Sequence, residues 1–265
     1  MTSLVTDQGI IHYETYGRGR PVLLLHGWLG SWALWRDSIE VLGKEFRTYA
    51  LDFWGFGESG GTVKNSNIYT VDNFVDLVHQ FMDKLGIVKA PLVGHSMGGT
   101  VSLSTAIRYP ERVVKVAVVG SPINGSSLNL LLKMSGYSAI ASVFWLSPPA
   151  LRLFLRGYSF FMARDGRRMA KMITRDVSQT TMHSFFQSIG TLRQTDLRPH
   201  LGEIRVPTLG IYGKRDIIVN PHQRDVLKAG VKHADISYYP DAGHFPMLDT
   251  PERFINEIRN FLLNK

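Results

Sequence analysis

Residues 90–106, Ala-Pro-Leu-Val-Gly-His-Ser-Met-Gly-Gly-Thr-Val-Ser-Leu-Ser-Thr-Ala, constrain this chain more than any other stretch. Leu92 and Val93 form a short apolar run of the kind a buried strand needs, and Thr100 to Arg108 reads as a helix closed by Tyr109-Pro110. Between them, Gly94-His95-Ser96-Met97-Gly98 must turn strand into helix within five residues. A turn that sharp forces Ser96 into a strained backbone conformation. Side chains two residues away on either side would collide, which is why the pattern G-x-S-x-G carries glycine at 94 and 98. The strain lifts the Ser96 hydroxyl off the end of the strand. The following helix aims its free N–H groups and positive dipole end at the same point. By itself the pattern also describes a glycine-rich turn with a solvated serine, so the flanking segments decide.

Those segments alternate. Residues 3 to 16 read as two short strands around Asp7-Gln8-Gly9, a hairpin signal. Val22 to Leu25 is a continuous apolar run, as a strand buried on both faces requires. Ser31 can cap a helix through Trp35 and Ile39 to Gly43, and Phe46 to Leu51 is the next strand. Thr70 caps an amphipathic helix with Val71, Phe74, Val75, Val78, Phe81, Met82 and Leu85 on one side, ended by Gly86. After the elbow, Val113 to Val119 is again continuously apolar. The rhythm stops after Ser121-Pro122 for about seventy residues and resumes near Val206. A strand over Val206–Tyr212, a helix from Asn220-Pro221 to Ala229, a strand over Ala234–Tyr239 and a terminal helix opened by Thr250-Pro251 complete the chain. This order predicts an α/β fold with a mostly parallel eight-stranded sheet flanked by helices. Right-handed crossovers put the strand-end loops on one edge, where such sheets bind ligands. His26-Gly27-Trp28, Ser96, Asp216 and His244 each fall just past a strand end.

The 265 residues suit one large α/β domain with an insertion. There is no cysteine, so disulfides, cysteine nucleophiles and thiolate metal sites are excluded. The N-terminus lacks the basic start and apolar core of a secretory signal, so a cytoplasmic protein is expected. The formal net charge of +8 is concentrated: Pro122 to Thr195 holds nine Lys and Arg against Asp165 and Asp176, leaving +1 for the rest of the chain. No nucleic-acid motif accompanies this charge, so nucleic acid is not the expected partner. A solvated basic face, an anionic substrate or an anionic surface remain open.

At this point the chain resembles the α/β-hydrolase family over nearly its full length. Four motifs carry the resemblance: His26-Gly27-Trp28, Asp52-x-x-Gly-x-Gly-x-Ser59, the elbow around Ser96, and Gly213-x-x-Asp216 with Asp241-Ala-Gly-His244. The order Ser, Asp, His is the family's own. A serine hydroxyl is a poor nucleophile at neutral pH and needs a base, and His244 fits. The base needs a carboxylate to fix its tautomer, and Asp216 is the choice. The alternative reading of Asp216 is a helix-capping aspartate near Asn220-Pro221. Asp241 and Asp249 are nearer His244 in sequence but come from the same connection, and Val119 to Pro122, where some relatives keep the acid, holds no carboxylate. The resemblance assigns the two oxyanion-hole donors to the backbone N–H groups of Trp28 and Met97. His26 and His95 read as turn-holding residues. Neither precedes a second histidine at metal-ligand spacing, so no zinc site is expected. No phosphate loop or other cofactor motif is present in the sequence.

Residues 122–197 resemble the family's helical cap, inserted into a core of residues 1–121 and 198–265. The insertion is rich in Leu, Phe and Met, and Met134 to Leu151 carries no charge. Four serines and Pro148-Pro149 argue against a membrane span and for two short helices meeting at the prolines. A cap of this kind makes an apolar ceiling that excludes water. The resulting expectation is a hydrolase of small-molecule carboxylic esters with small to medium, hydrophobic acyl or alcohol groups. Two alternatives share the triad. One is C–C bond hydrolysis of anionic ring-cleavage products, with cap arginines holding carboxylates. The other is a ligand receptor that retains slow hydrolysis.

Overall fold

The computed structural model of the chain describes residues 2–59, 67–135 and 148–264. Its centre is an eight-stranded sheet in the order β1-β2-β4-β3-β5-β6-β7-β8. The strands are β1 Thr2–Val5, β2 Ile10–Tyr16, β3 Pro21–Leu25, β4 Arg47–Leu51, β5 Ala90–His95, β6 Val113–Val119, β7 Thr208–Gly213 and β8 Ala234–Tyr239. β1 and β2 pair antiparallel as the expected hairpin, and β2 adds antiparallel to β4. Every pair from β4 through β3, β5, β6 and β7 to β8 is parallel. The mostly parallel sheet read from the sequence is therefore present, with its two antiparallel strands at one edge.

Period-two alternation divides the core into two layers. Leu23, Leu25, Leu92, Val116 and Val118 face one apolar cluster, and Val22, Leu24, Val93, Ala117 and Val119 face the other. All ten are fully buried, which is why these strands read as unbroken apolar runs rather than as alternating ones. The first layer is covered by α2 (Val71–Lys84), α3 (Met97–Arg108) and Leu227 of α8 (Gln223–Gly230). The second is covered by α1 (Arg36–Leu42) and by Phe254, Ile258 and Leu262 of α10 (Pro251–Leu263). Thr70 caps α2 as expected, its side chain accepting from the Asn73 N–H at 3.2 Å.

Between β6 and β7 the chain inserts helices: α4 Leu130–Ser135, α5 Pro148–Met162, α6 Gly166–Gln179 and α7 Met182–Gln194. The two arms of the insertion meet at an isolated bridge, Asn124 to Asp196. Asp165 caps α6, accepting from the Arg168 N–H at 2.9 Å, and Thr181 with Ser184 forms a capping box on α7. Leu192 and Ile189 join the first core layer, while Met169, Ile173 and Phe185 pack with Leu29, Leu34 and Phe245 of the second. The insertion thus lies over the strand ends. Of the uncharged run expected to form two helices meeting at the prolines, α4 and α5 flank the middle, and residues 136–147 lie outside the described residues. No helix among the described residues is long and apolar enough to cross a membrane. A short helix, α9 (Pro246–Asp249), connects the last strand's loop to α10.

Candidate active site

β5 ends at His95 and α3 begins at Met97, so Ser96 alone makes the turn. Its backbone sits at φ 50°, ψ −119°, a region that a residue with a side chain enters only under constraint. The glycines show what imposes the constraint. A Cβ on Gly94 would lie 2.2 Å from the Gly98 carbonyl oxygen, and one on Gly98 would lie 2.3 Å from that of Leu25. Both clashes are with backbone, so the turn has no room to relax. A serine at a helix start normally spends its hydroxyl on capping. Ser96 makes no such bond, which leaves its Oγ available to a ligand.

His244 lies past β8 and Asp216 past β7. Its Nδ1 is 2.7 Å from Asp216 Oδ2, and the two side chains are only 3% and 2% exposed. Asp216 is held from the other side as well. Its Oδ1 accepts from the N–H groups of Ile218 at 2.8 Å and Val219 at 2.9 Å. One oxygen of Asp216 therefore faces the histidine and the other holds its own loop, while the helix that starts at Gln223 takes no cap from Asp216. Asp241 and Asp249 point elsewhere: Asp241 is 3.9 Å from Arg215, and Asp249 accepts from the N–H groups of Gly243 and Arg164.

Ser96 and His244 line one cavity, together with Gly27, Trp28 and residues of the insertion. A Cβ on Gly27 would fall 3.0 Å from Ser96 Cβ, so the Gly27-Trp28 loop runs against the serine. Among the described residues neither the Trp28 N–H nor the Met97 N–H has an acceptor. Of the five expected residues, Trp28, Ser96 and His244 line this cavity, Asp216 reaches it through His244, and Met97 follows Ser96 in the chain. The Trp28 indole also donates to the Phe185 carbonyl at 3.1 Å, tying that loop to α7.

The two turn histidines are neutral, each for a visible reason. His26 Nε2 accepts from the Phe53 N–H at 3.0 Å, so its proton is on Nδ1 and goes to the Gly27 carbonyl at 2.7 Å. Burial pushes its pKa below the ordinary imidazole value. His95 Nε2 donates to the main-chain carbonyl of His244 at 2.9 Å, since a carbonyl can only accept. Burial, reinforced by His244 nearby, holds the His95 pKa well below the usual value. Asp52 of the glycine-rich loop is fully buried and organises that loop, accepting from the N–H groups of Trp32 and Glu58. It also bonds His12 Nδ1 at 3.1 Å. Burial acts to lower the His12 pKa, but the Asp52 hydrogen bond and the surrounding carboxylates outweigh it, so His12 titrates above its ordinary value.

One cavity residue was not singled out in the sequence. Asp176, on α6, lines the cavity with 2% exposure and accepts from the Ser31 hydroxyl at 2.8 Å. Burial raises its pKa to about 7, against the opposing Ser31 bond. Ser31, read as a helix cap, does accept from the Ala33 N–H, but at 3.4 Å, while its own hydrogen goes to Asp176. The signal was that Asp176 and Asp165 are the only acids in a segment with nine cations. Asp165 is spent on capping α6, which leaves Asp176 unexplained by local structure.

A family model described as "alpha/beta hydrolase fold" matches residues 20–251. A protein of Rhizobium rhizogenes named for carbamate hydrolysis is 28% identical over 263 residues, covering 95% of this chain and 97% of its own. A 2-hydroxy-6-oxo-6-phenylhexa-2,4-dienoate hydrolase of Burkholderia cepacia is 29% identical over 265 residues, with 96% and 91% covered. Among solved structures, an esterase from Exiguobacterium antarcticum superposes with a TM-score of 0.85 over 99% of both chains at 21% identity, a likeness of fold.

Proposed function

The chain belongs to the α/β-hydrolase fold family, and on that premise we propose that it hydrolyses carboxylic esters with small to medium, hydrophobic acyl or alcohol groups. The observation that carries this reading is the buried 2.7 Å contact between His244 and Asp216 at the cavity that Ser96 lines. A carboxylate at Oδ2 holds the histidine proton on Nδ1, which leaves Nε2 as the base. Ser96 Oγ attacks the ester carbonyl and gives its proton to Nε2. The carbonyl oxygen becomes an oxyanion that the N–H groups of Trp28 and Met97 receive. The intermediate collapses, the C–O bond to the alcohol breaks, and the alcohol leaves with the proton from Nε2. An acyl group now sits on Ser96. Water gives a proton to Nε2 as it adds to the acyl carbon, and the acid leaves as Oγ regains its hydrogen.

Substrates without a carboxylate are supported by the lining. Among the described residues that line the cavity there is no Lys or Arg, and Leu131, Met162, Ile173 and Phe185 are typical of its walls. The resemblance to a dienoate hydrolase favours a C–C bond-cleaving reading, but the described lining offers no Lys or Arg to pair with a substrate carboxylate, and its one carboxyl, Asp176, would disfavour such a group. The insertion acts as the cap, excluding water from the reacting carbonyl. The test is a panel of 4-nitrophenyl esters of increasing chain length, beside a dienoate keto acid. Ester turnover that disappears in Ser96→Ala while the protein stays folded supports the proposal. Turnover of the keto acid alone, or full ester turnover in the variant, overturns it.

A further inference from the structure

Asp176 has no part in the chemistry above, yet it is the one carboxyl the insertion lends to the cavity. Only one of its oxygens is spent. Oδ1 accepts from Ser31, and among the described residues Oδ2 has no hydrogen-bond partner. Its backbone oxygen is already used by the Thr180 hydroxyl at 2.8 Å, so the helix needs nothing from the side chain. Around it the wall is apolar, including Met172, Ile173 and Phe185. A buried carboxyl in such surroundings is costly unless something binds it. The charged neighbours do not resolve this. Asp52 repels the ionised form, and Arg175, next along α6, favours it but is the weakest of these influences, its guanidinium being bonded to Glu58 at 2.9 Å and lying over the Trp32 ring.

We propose that the Asp176 carboxyl, fixed by Ser31, is a polar subsite that binds a hydrogen-bond donor, a hydroxyl or an ammonium, on the part of the ester remote from the scissile bond. The proposal rests on the hydrolase reading of the same cavity. A hydroxyl satisfies either protonation state of the carboxyl, giving its hydrogen to the carboxylate or receiving one from the acid. An ammonium draws the group into its ionised form, which burial otherwise disfavours. A carboxylate at the same place meets like charge and is rejected. The competing role, a tether between α6 and the loop after β3, explains the Ser31 bond but not an unspent oxygen on the cavity wall.

The experiment uses 4-nitrophenyl esters of matched length that differ only at the far end: heptanoate, 6-hydroxyhexanoate, 6-aminohexanoate and adipate, with shorter and longer sets alongside. In the wild type, kcat/KM at the optimal length is about tenfold or more higher for the hydroxyl or ammonium end than for methyl, and lowest for carboxylate. Asp176→Leu removes that ranking, mainly through KM. Asp176→Asn keeps the hydroxyl preference and loses the ammonium preference, which distinguishes the two donors. A tether role predicts that both variants change all four substrates by the same factor, and that result overturns the subsite. Calorimetric binding of the corresponding ketones, which cannot be cleaved, separates the two proposals. End-group selectivity in binding without any ester turnover keeps the subsite and removes the hydrolase reading. Ester turnover with no end-group selectivity in either assay removes the subsite alone.

Discussion

Asp176 makes a stability prediction with a definite sign. Its carboxyl has an ordinary value of 3.8 in the unfolded chain and titrates at about 7 when folded. The folded state therefore holds a proton that the unfolded state has lost, and stability falls as pH rises through that window. The interval of roughly three units is worth about 4 kcal/mol at 1.36 kcal/mol per unit, all present below the unfolded value and all lost above the folded one. With 2% exposure, solvent offers the charge little relief. Between pH 5.5 and 8.5 the folded group crosses its own midpoint, and about half of that, ~2 kcal/mol, should be lost. Asp176→Asn keeps an oxygen for the Ser31 hydroxyl but cannot ionise. Urea unfolding of both proteins at the two pH values isolates the residue, because every other titrating group is common to both. The wild type should lose about 2 kcal/mol more than the variant on going to pH 8.5. Parallel losses, or a wild type that gains relative to the variant, would refute the argument that burial dominates at this carboxyl.

Three further outcomes follow from the geometry. In Asp216→Asn, the remaining oxygen is kept by the Ile218 and Val219 N–H groups, so the amide NH₂ faces His244 Nδ1. The ring must then carry its proton on Nε2, and kcat for a 4-nitrophenyl ester should fall by about 10⁴-fold with little change in melting temperature. Gly98→Ala drives a Cβ to 2.3 Å from the Leu25 oxygen and 2.5 Å from the His26 oxygen; it should cost about 3 kcal/mol in urea unfolding and displace the serine, so activity falls as well. Lys115 Nζ donates to the Phe261 and Asn264 carbonyls at the end of α10, so Lys115→Met should cost about 2 kcal/mol and raise hydrogen exchange in that helix while leaving ester turnover unchanged.

The sheet was legible because its central strands are buried on both faces. Val22 to Leu25 and Val113 to Val119 have no polar face to confuse the reading, apart from Lys115, which spends its charge on a helix end. The elbow was legible because backbone clashes leave glycine as the fitting residue at 94 and 98. Asp216 and His244 were legible through their loops, which local turn chemistry marks. The helix after Asn220-Pro221 begins at Gln223, later than read, because Asn220 and Pro221 form a turn held by the Gln223 and Arg224 N–H groups. Ser31 and Asp176 were not legible as a pair. They are 145 residues apart, and each has a local role that its own neighbourhood satisfies on paper. Only the docking of α6 over the strand ends makes the carboxyl a cavity residue. The same holds for His12, whose partner Asp52 arrives through the pairing of β2 with β4.

On the proposed mechanism the strained serine is the nucleophile and depends on the histidine and its carboxylate. Exposure to a serine-directed fluorophosphonate, followed by peptide mass spectrometry, tests it most directly. A single adduct on Ser96, absent from Ser96→Ala and formed orders of magnitude more slowly in His244→Ala, is the predicted result. An adduct on another residue, or equal labelling rates with and without the imidazole, would overturn that mechanism.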